Sequence, residues 1–119
     1  MEKTQMIEKL GELPQKIYEA ERDLINKTNT YHDGGLKAKQ TKEYAMFEVA
    51  NQIDADGKAI YSNDIKRKAE VEIRLKANQE FNHLEESLIA DKLQLELDRV
   101  KLEFLKRLFR SYEGIAQIR

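Results

Sequence analysis

Two aspartates one residue apart, followed at once by glycine, give Asp54-Ala55-Asp56-Gly57, the segment that comes nearest to ion-binding chemistry. A calcium loop of the EF-hand kind needs oxygen ligands at its first, third and fifth positions, glycine at the sixth and glutamate at the twelfth. Counting from Asp54, the fifth position is Lys58 and the sixth is Ala59, so an ammonium would stand inside the cage. A phosphate-binding loop fares no better, because one glycine before Lys58 is not a glycine-rich cradle between a strand and a helix. What the spacing does support is a tight turn with Asx bonding and a positive φ. Ser62 and Asn63 then suit the cap of a helix, and Asp64 suits the positive end of its dipole.

Glu80 and His83 have the Glu-x-x-His spacing of di-iron helix bundles. Such a site needs two copies of that pair and two further glutamates. The other histidine, His32, has no such partner, so a surface hydrogen bond between Glu80 and His83 is expected instead. With no cysteine, no serine in a nucleophile elbow and two histidines without evident partners, nucleophilic catalysis lacks its parts. Carboxylate pairs such as Glu85-Glu86 suit a solvated helix face. No enzymatic activity, cofactor or metal is expected.

Cations gather in two places. Lys66, Arg67 and Lys68 open one helical pattern, and Lys101, Lys106, Arg107 and Arg110 lie towards its end. The second group complements a helix dipole and is also a candidate phosphate contact. Glu103 and Glu113 dilute it, and the net charge of the chain is −1, so nucleic acid is not the favoured partner. The absence of cysteine suits a reducing cytoplasm. No apolar run approaches the roughly 20 residues that span a bilayer, so no membrane contact is expected.

These residues must be positioned by helices. Ala, Glu, Lys, Leu and Arg dominate, and the apolar residues recur at helical spacing. Met6, Leu10, Leu13, Ile17, Ala20, Leu24 and Tyr31 form one heptad seam, broken at Lys27. Pro14 either opens a helix or kinks a longer one that begins near Lys3, and the unbroken phase favours the second reading. Gly34 and Gly35 read as punctuation, a break or a full reversal of the chain. Tyr44, Phe47, Val49, Ala50 and Ile53 supply a looser face for a second helix.

The pattern after the corner carries two stripes on nearly opposite sides. One is Ala77, Phe81, Leu84, Leu88, Leu95, Leu102, Leu105, Phe109 and Tyr112, interrupted at Asp91 and Asp98. The other includes Ile89 and then Leu93, Leu97, Val100, Phe104 and Leu108. Two stripes require two packing partners, the rest of the chain and a second copy. A charge in a buried seam is costly unless paired, so Asp91 and Asp98 either face water or set register. Asp98→Leu is expected to raise stability and to change the oligomeric state.

The expected architecture is therefore all-α: an elongated antiparallel helical hairpin, or a three-helix coiled-coil-like bundle with one very long C-terminal helix. Helices are expected at about 3–32, 36–53 and 63–112, with a corner at 54–62, in a single helical domain over residues 1–119.

The segment GKAIYSNDIKRKAEVEIRLKANQEF, with the tail LEFLKRLFRSYEGIAQI, resembles small helical proteins of phages and prophages of Gram-positive bacteria. The match is carried by Gly57, Lys58, Tyr61, Ser62, Asn63, Lys66, Arg67 and Leu75. Within Asp64-Ile65, where an acidic residue and then a polar one would be expected, it departs from that pattern at Ile65. The resemblance implies an accessory role in an early phage region, near DNA replication or recombination, and transfers no catalytic residue. At the level of class, it also admits a counter-defence inhibitor that binds a host nuclease or CRISPR effector. Tyr61, Lys66, Arg67 and Lys68 are the expected contact with a phage or host protein. The stripe Leu93, Leu97, Val100, Phe104 and Leu108 is the expected seam of a homodimer or higher homo-oligomer.

Overall fold

The computed structural model describes residues 2–117. These form three helices, α1 (Lys3–Asn51), α2 (Asp64–Ala77) and α3 (Gln79–Gln117). Among the described residues the only extended pairing is an isolated antiparallel bridge between Ile53 and Ala59. The protein is all-α. No helix among the described residues is long and apolar enough to cross a membrane.

Packing divides the chain into two compact units. Of the described residues, those up to Thr30 and from Asp91 onward form the first, and Tyr31–Ala90 the second. The first unit is an antiparallel pair made from the start of α1 and the end of α3. Glu21 meets Lys106 at 3.6 Å and Lys27 meets Asp98 at 2.8 Å, so the α3 partner falls as the α1 residue rises. Leu13, Leu95 and Leu102 are buried between them. Met6, Leu10, Ile17, Ala20 and Leu24 flank that core from α1, and Leu105, Phe109 and Tyr112 from α3. These are the two seams legible in the heptad spacing.

The interruptions of those seams meet each other. Lys27 breaks the α1 seam and Asp98 breaks the α3 seam, and their side chains are hydrogen-bonded at 2.8 Å. Gln94 donates a second bond to Asp98 at 2.9 Å. The bond from Lys27, and then that from Gln94, hold the Asp98 carboxyl below the ordinary aspartate range. The Lys27 ammonium is pushed up by the same bond. A slip of the two helices by one heptad would part this pair, so it fixes register inside the chain. Asp98 thus faces α1 and is paired within the chain. Asp91 is exposed to water.

In the second unit α1 does not break. It runs without interruption through Gly34 and Gly35, neither bent into a second helix nor reversed there, and it also continues through Pro14. Gly34 is a close-packing position. A Cβ built there would stand 2.9 Å from Leu88 Cδ2 and 3.6 Å from Leu84 Cδ1. The α1 face turned inward is a run of small residues, with Ala38, Ala45 and Val49 buried and Gly34 and Thr41 half-buried. Small side chains let α3 approach and admit the ring of Phe81, which is itself buried. The larger residues expected on this face do not form it. Tyr44, Phe47 and Ile53 are exposed and Val49 alone of that set is fully buried. Lys42 reaches Glu85 at 3.3 Å and lies 5.7 Å from the Phe81 ring, which orients α3 antiparallel to α1 here too.

The expected single helix over 63–112 is two helices divided at Asn78. Asn78 has extended backbone angles, φ −87° and ψ 101°. Its amide closes α2 on the Leu75 carbonyl at 3.1 Å, and its Oδ1 caps α3 by accepting from the Phe81 amide at 3.1 Å. Asn82 strengthens the joint by donating to the Lys76 carbonyl at 2.9 Å.

Two outcomes test this account. Gly35 has open space where a Cβ would stand. Gly35→Ala should therefore stabilise by about 1 kcal/mol in chemical denaturation, the ordinary helix-propensity gain. Gly34→Ala should gain clearly less, because Leu88 must move; equal gains would show that no close approach exists. At neutral pH the native chain should be more stable than Asp98→Asn. Because the folded-state pKa is depressed, that advantage is full above the ordinary aspartate pKa of roughly 4 and should be lost as pH falls from there through the lower folded-state value. Parallel pH curves for the two proteins would remove the pair from the account of stability.

Candidate functional site

The corner between α1 and α2 is built from local hydrogen bonds. The Asp54 carboxylate accepts from the amides of Asp56 and Lys58 at 2.9 and 3.0 Å. The Asp54 amide donates to the Lys58 carbonyl at 2.8 Å, and Gly57 turns the chain with φ +79°. One oxygen of Asp54 is thus committed to the backbone, which is the Asx turn that the residue types imply. No group of three or more carboxylates or histidines poised for a metal is found among the described residues. Asn63 caps α2, accepting from the Lys66 amide at 2.9 Å. The caps fall where Ser62-Asn63-Asp64 places them. Glu80 and His83 are both exposed on α3, and the expected hydrogen bond between them is not formed.

Of the four residues expected to contact a partner, two brace the corner. The Arg67 Nε donates to the Tyr61 carbonyl at 3.0 Å, and its guanidinium lies 3.7 Å from Asp64. Tyr61 is half-buried, its ring 5.9 Å from the Arg74 guanidinium. Arg74 in turn gathers Glu70 at 3.0 Å, Glu48 at 3.9 Å and the side chain of Gln52, tying α2 to the end of α1. Its bond to Glu70 holds that guanidinium firmly protonated. Lys66 and Lys68 are exposed, and among the described residues neither forms an ion pair.

Lys68 lies on the wall of an open groove of about 760 Å³. Met46 and Ala50 of α1 form one side, and Arg67, Lys68, Val71 and Glu72 of α2 the other. Met46 and the neighbouring Ile65 are exposed. The sequence signal for the groove was faint. Met46 lies outside the apolar set Tyr44, Phe47, Val49, Ala50 and Ile53, and Val71 is a lone valine on a charged helix.

The second candidate face is on α3 in the first unit. Leu93, Leu97, Val100 and Phe104 are 59%, 54%, 69% and 61% exposed, and Leu108, at the edge of this row, is half-buried. Their spacing of four, three and four keeps them on one side of the helix. Leu95 and Leu102, the buried residues of the same stretch, face the other way, towards α1. A row of four large apolar side chains in water is a feature that monomeric soluble proteins rarely keep.

The candidate phosphate contacts do not stand together as a free row. Lys106 is paired with Glu21 at 3.6 Å, and the Arg110 Nε turns back to the Lys106 carbonyl at 3.4 Å. Lys101 is exposed beside Asp98 in a groove with Lys27, and Arg107 is exposed. In the tail, Ile118 lies outside the described residues.

No family model, curated protein or solved structure matches the chain.

The two roles assigned around the corner separate on substitution. Arg67→Ala should destabilise by about 1 kcal/mol, the usual worth of one hydrogen bond. Joint replacement of Lys66 and Lys68 by alanine should leave stability within about 0.5 kcal/mol. A large loss from the lysine pair, measured by denaturation, would show that these side chains hold the fold.

Proposed function

We propose that this is a non-enzymatic accessory protein that works by protein–protein contact. The observation that carries the reading is the exposed row Leu93, Leu97, Val100 and Phe104, which has water where a heptad seam needs a partner. In this reading the row joins copies of the chain into a homodimer or higher homo-oligomer. The corner and its groove, with Lys66 and Lys68 free at the surface, receive a second protein.

The resemblance of the corner and of α2 to small phage and prophage proteins supplies the setting. It makes the chain a cytoplasmic phage factor that scaffolds or modulates DNA replication or recombination in a Gram-positive host. The counter-defence alternative uses the same surfaces and differs only in the identity of the partner. Direct binding of nucleic acid is disfavoured by the internal pairing of Lys106 and by the scattered remainder of the basic group.

The test is recovery of the tagged protein from infected cells, with and without nuclease, beside a Leu97→Asp, Phe104→Asp variant. A replication, recombination or defence protein should stay bound after nuclease, and light scattering should show the variant alone reduced to its 14.0 kDa monomer. Loss of every partner on nuclease treatment would replace this reading by nucleic-acid binding. An unchanged mass in the variant would remove the row as a contact.

A further inference from the structure

The exposed row on α3 carries charges that discriminate between the ways in which it can be covered. Leu97 and Phe104 are one heptad apart, as are Leu93 and Val100, so the four take the two apolar positions of consecutive heptads. The positions beside this row are occupied by Glu96 and Glu103 on one flank and by Gln94, Lys101 and Leu108 on the other. Glu96, Lys101 and Glu103 are exposed, and among the described residues none of the three is in an ion pair. In the first unit α1 packs on the opposite side of α3, against Leu95 and Leu102, and leaves the approach to the row open.

We propose that the row is covered by a second copy of the same α3, parallel and in register, with Glu96 of each copy paired to Lys101 of the other. The inference rests on the self-association reading given above and adds its geometry. In a parallel pair each apolar residue meets its own counterpart, and the residue before Leu97 faces the residue after Val100. That places Glu96 against Lys101 twice, by symmetry. An antiparallel pair that buries the same four side chains must set Leu97 against Val100 and Leu93 against Phe104. Glu96 then faces Glu103, again twice, and two attractions become two repulsions. Shifting the antiparallel pair by one heptad does not rescue it. One direction brings Glu96 against its own copy, and the other sets Leu97 against Arg107 and Glu103 against its own copy. In the parallel pair Arg107 ends the apolar row at its wet rim, where solvent and salt screen it from its counterpart.

The chain has no cysteine, so single cysteines report the arrangement directly. Leu93→Cys and Phe104→Cys, each alone under mild oxidation, should both form disulfide-linked dimers. If neither links to itself and only a mixture of the two variants does, the pair is antiparallel and the proposal is overturned. The charges give an independent sign. Glu96→Lys should weaken self-association on the order of tenfold, and adding Lys101→Glu in the same chain should restore it. An antiparallel pair would instead tighten on Glu96→Lys, because the repulsion from Glu103 would be relieved. Light scattering of the unaltered chain separates the two levels of failure. A mass of 14.0 kDa at high concentration ends the self-association reading itself. A heavier particle with antiparallel cross-links ends only the geometry.

Discussion

The first unit depends on the apposition of two imperfect heptad seams, and on the fact that their imperfections coincide. A seam of leucines alone is indifferent to a slip of seven residues, because each leucine finds another. Lys27 and Asp98 remove that indifference, since either one set against leucine would leave a charge against an apolar surface. The pair is only partly shielded, with the Lys27 side chain 51% exposed and that of Asp98 22% exposed, so its worth lies in specificity more than in stability. The same register brings Glu21 against Lys106.

The second unit holds its helices together by a different device. Large side chains of α3 sit on small ones of α1, and at Gly34 the approach of Leu88 leaves no room for a Cβ. This is why the glycine pair misleads when read as punctuation. A glycine that ends a helix and one that lets another helix come close have the same letter, and the difference lies in what stands opposite. Leu84 and Leu88 are fifty or more residues away in sequence, so no local pattern reveals them. The same holds for Tyr44 and Phe47, whose size suggested a core that Ala45 and Val49 in fact provide.

The legible features were those governed by short-range chemistry or by long periodicity. The α1 seam up to Leu24 and the α3 seam from Phe81 to Tyr112 follow from spacing. The Asx turn at Asp54 and the cap at Asn63 follow from residue type. Asn78 had the right chemistry for a helix junction, with Glu80 in the first turn after it, but an apolar phase that runs on to Phe81 hid it. The roles of Tyr61 and Arg67 were hidden in another way. Their residue types suit a partner surface, and only the backbone carbonyl of Tyr61 shows that Arg67 is engaged within the chain.

The corner also bears on how the chain finds its fold. Its turn closes over a handful of residues, between Gln52 and Ile60. The bond from Arg74 to Gln52 spans 22 residues, and that from Lys27 to Asp98 spans 71. These closures are nested, each inside the next, so every one made shortens the loop that the next must close. Since the entropy of closure rises with loop length, the least costly route zips outward from the Asp54 turn towards the two chain ends. The Asx turn is then a nucleus as well as a bend, and the register pair forms late, on helices already brought side by side.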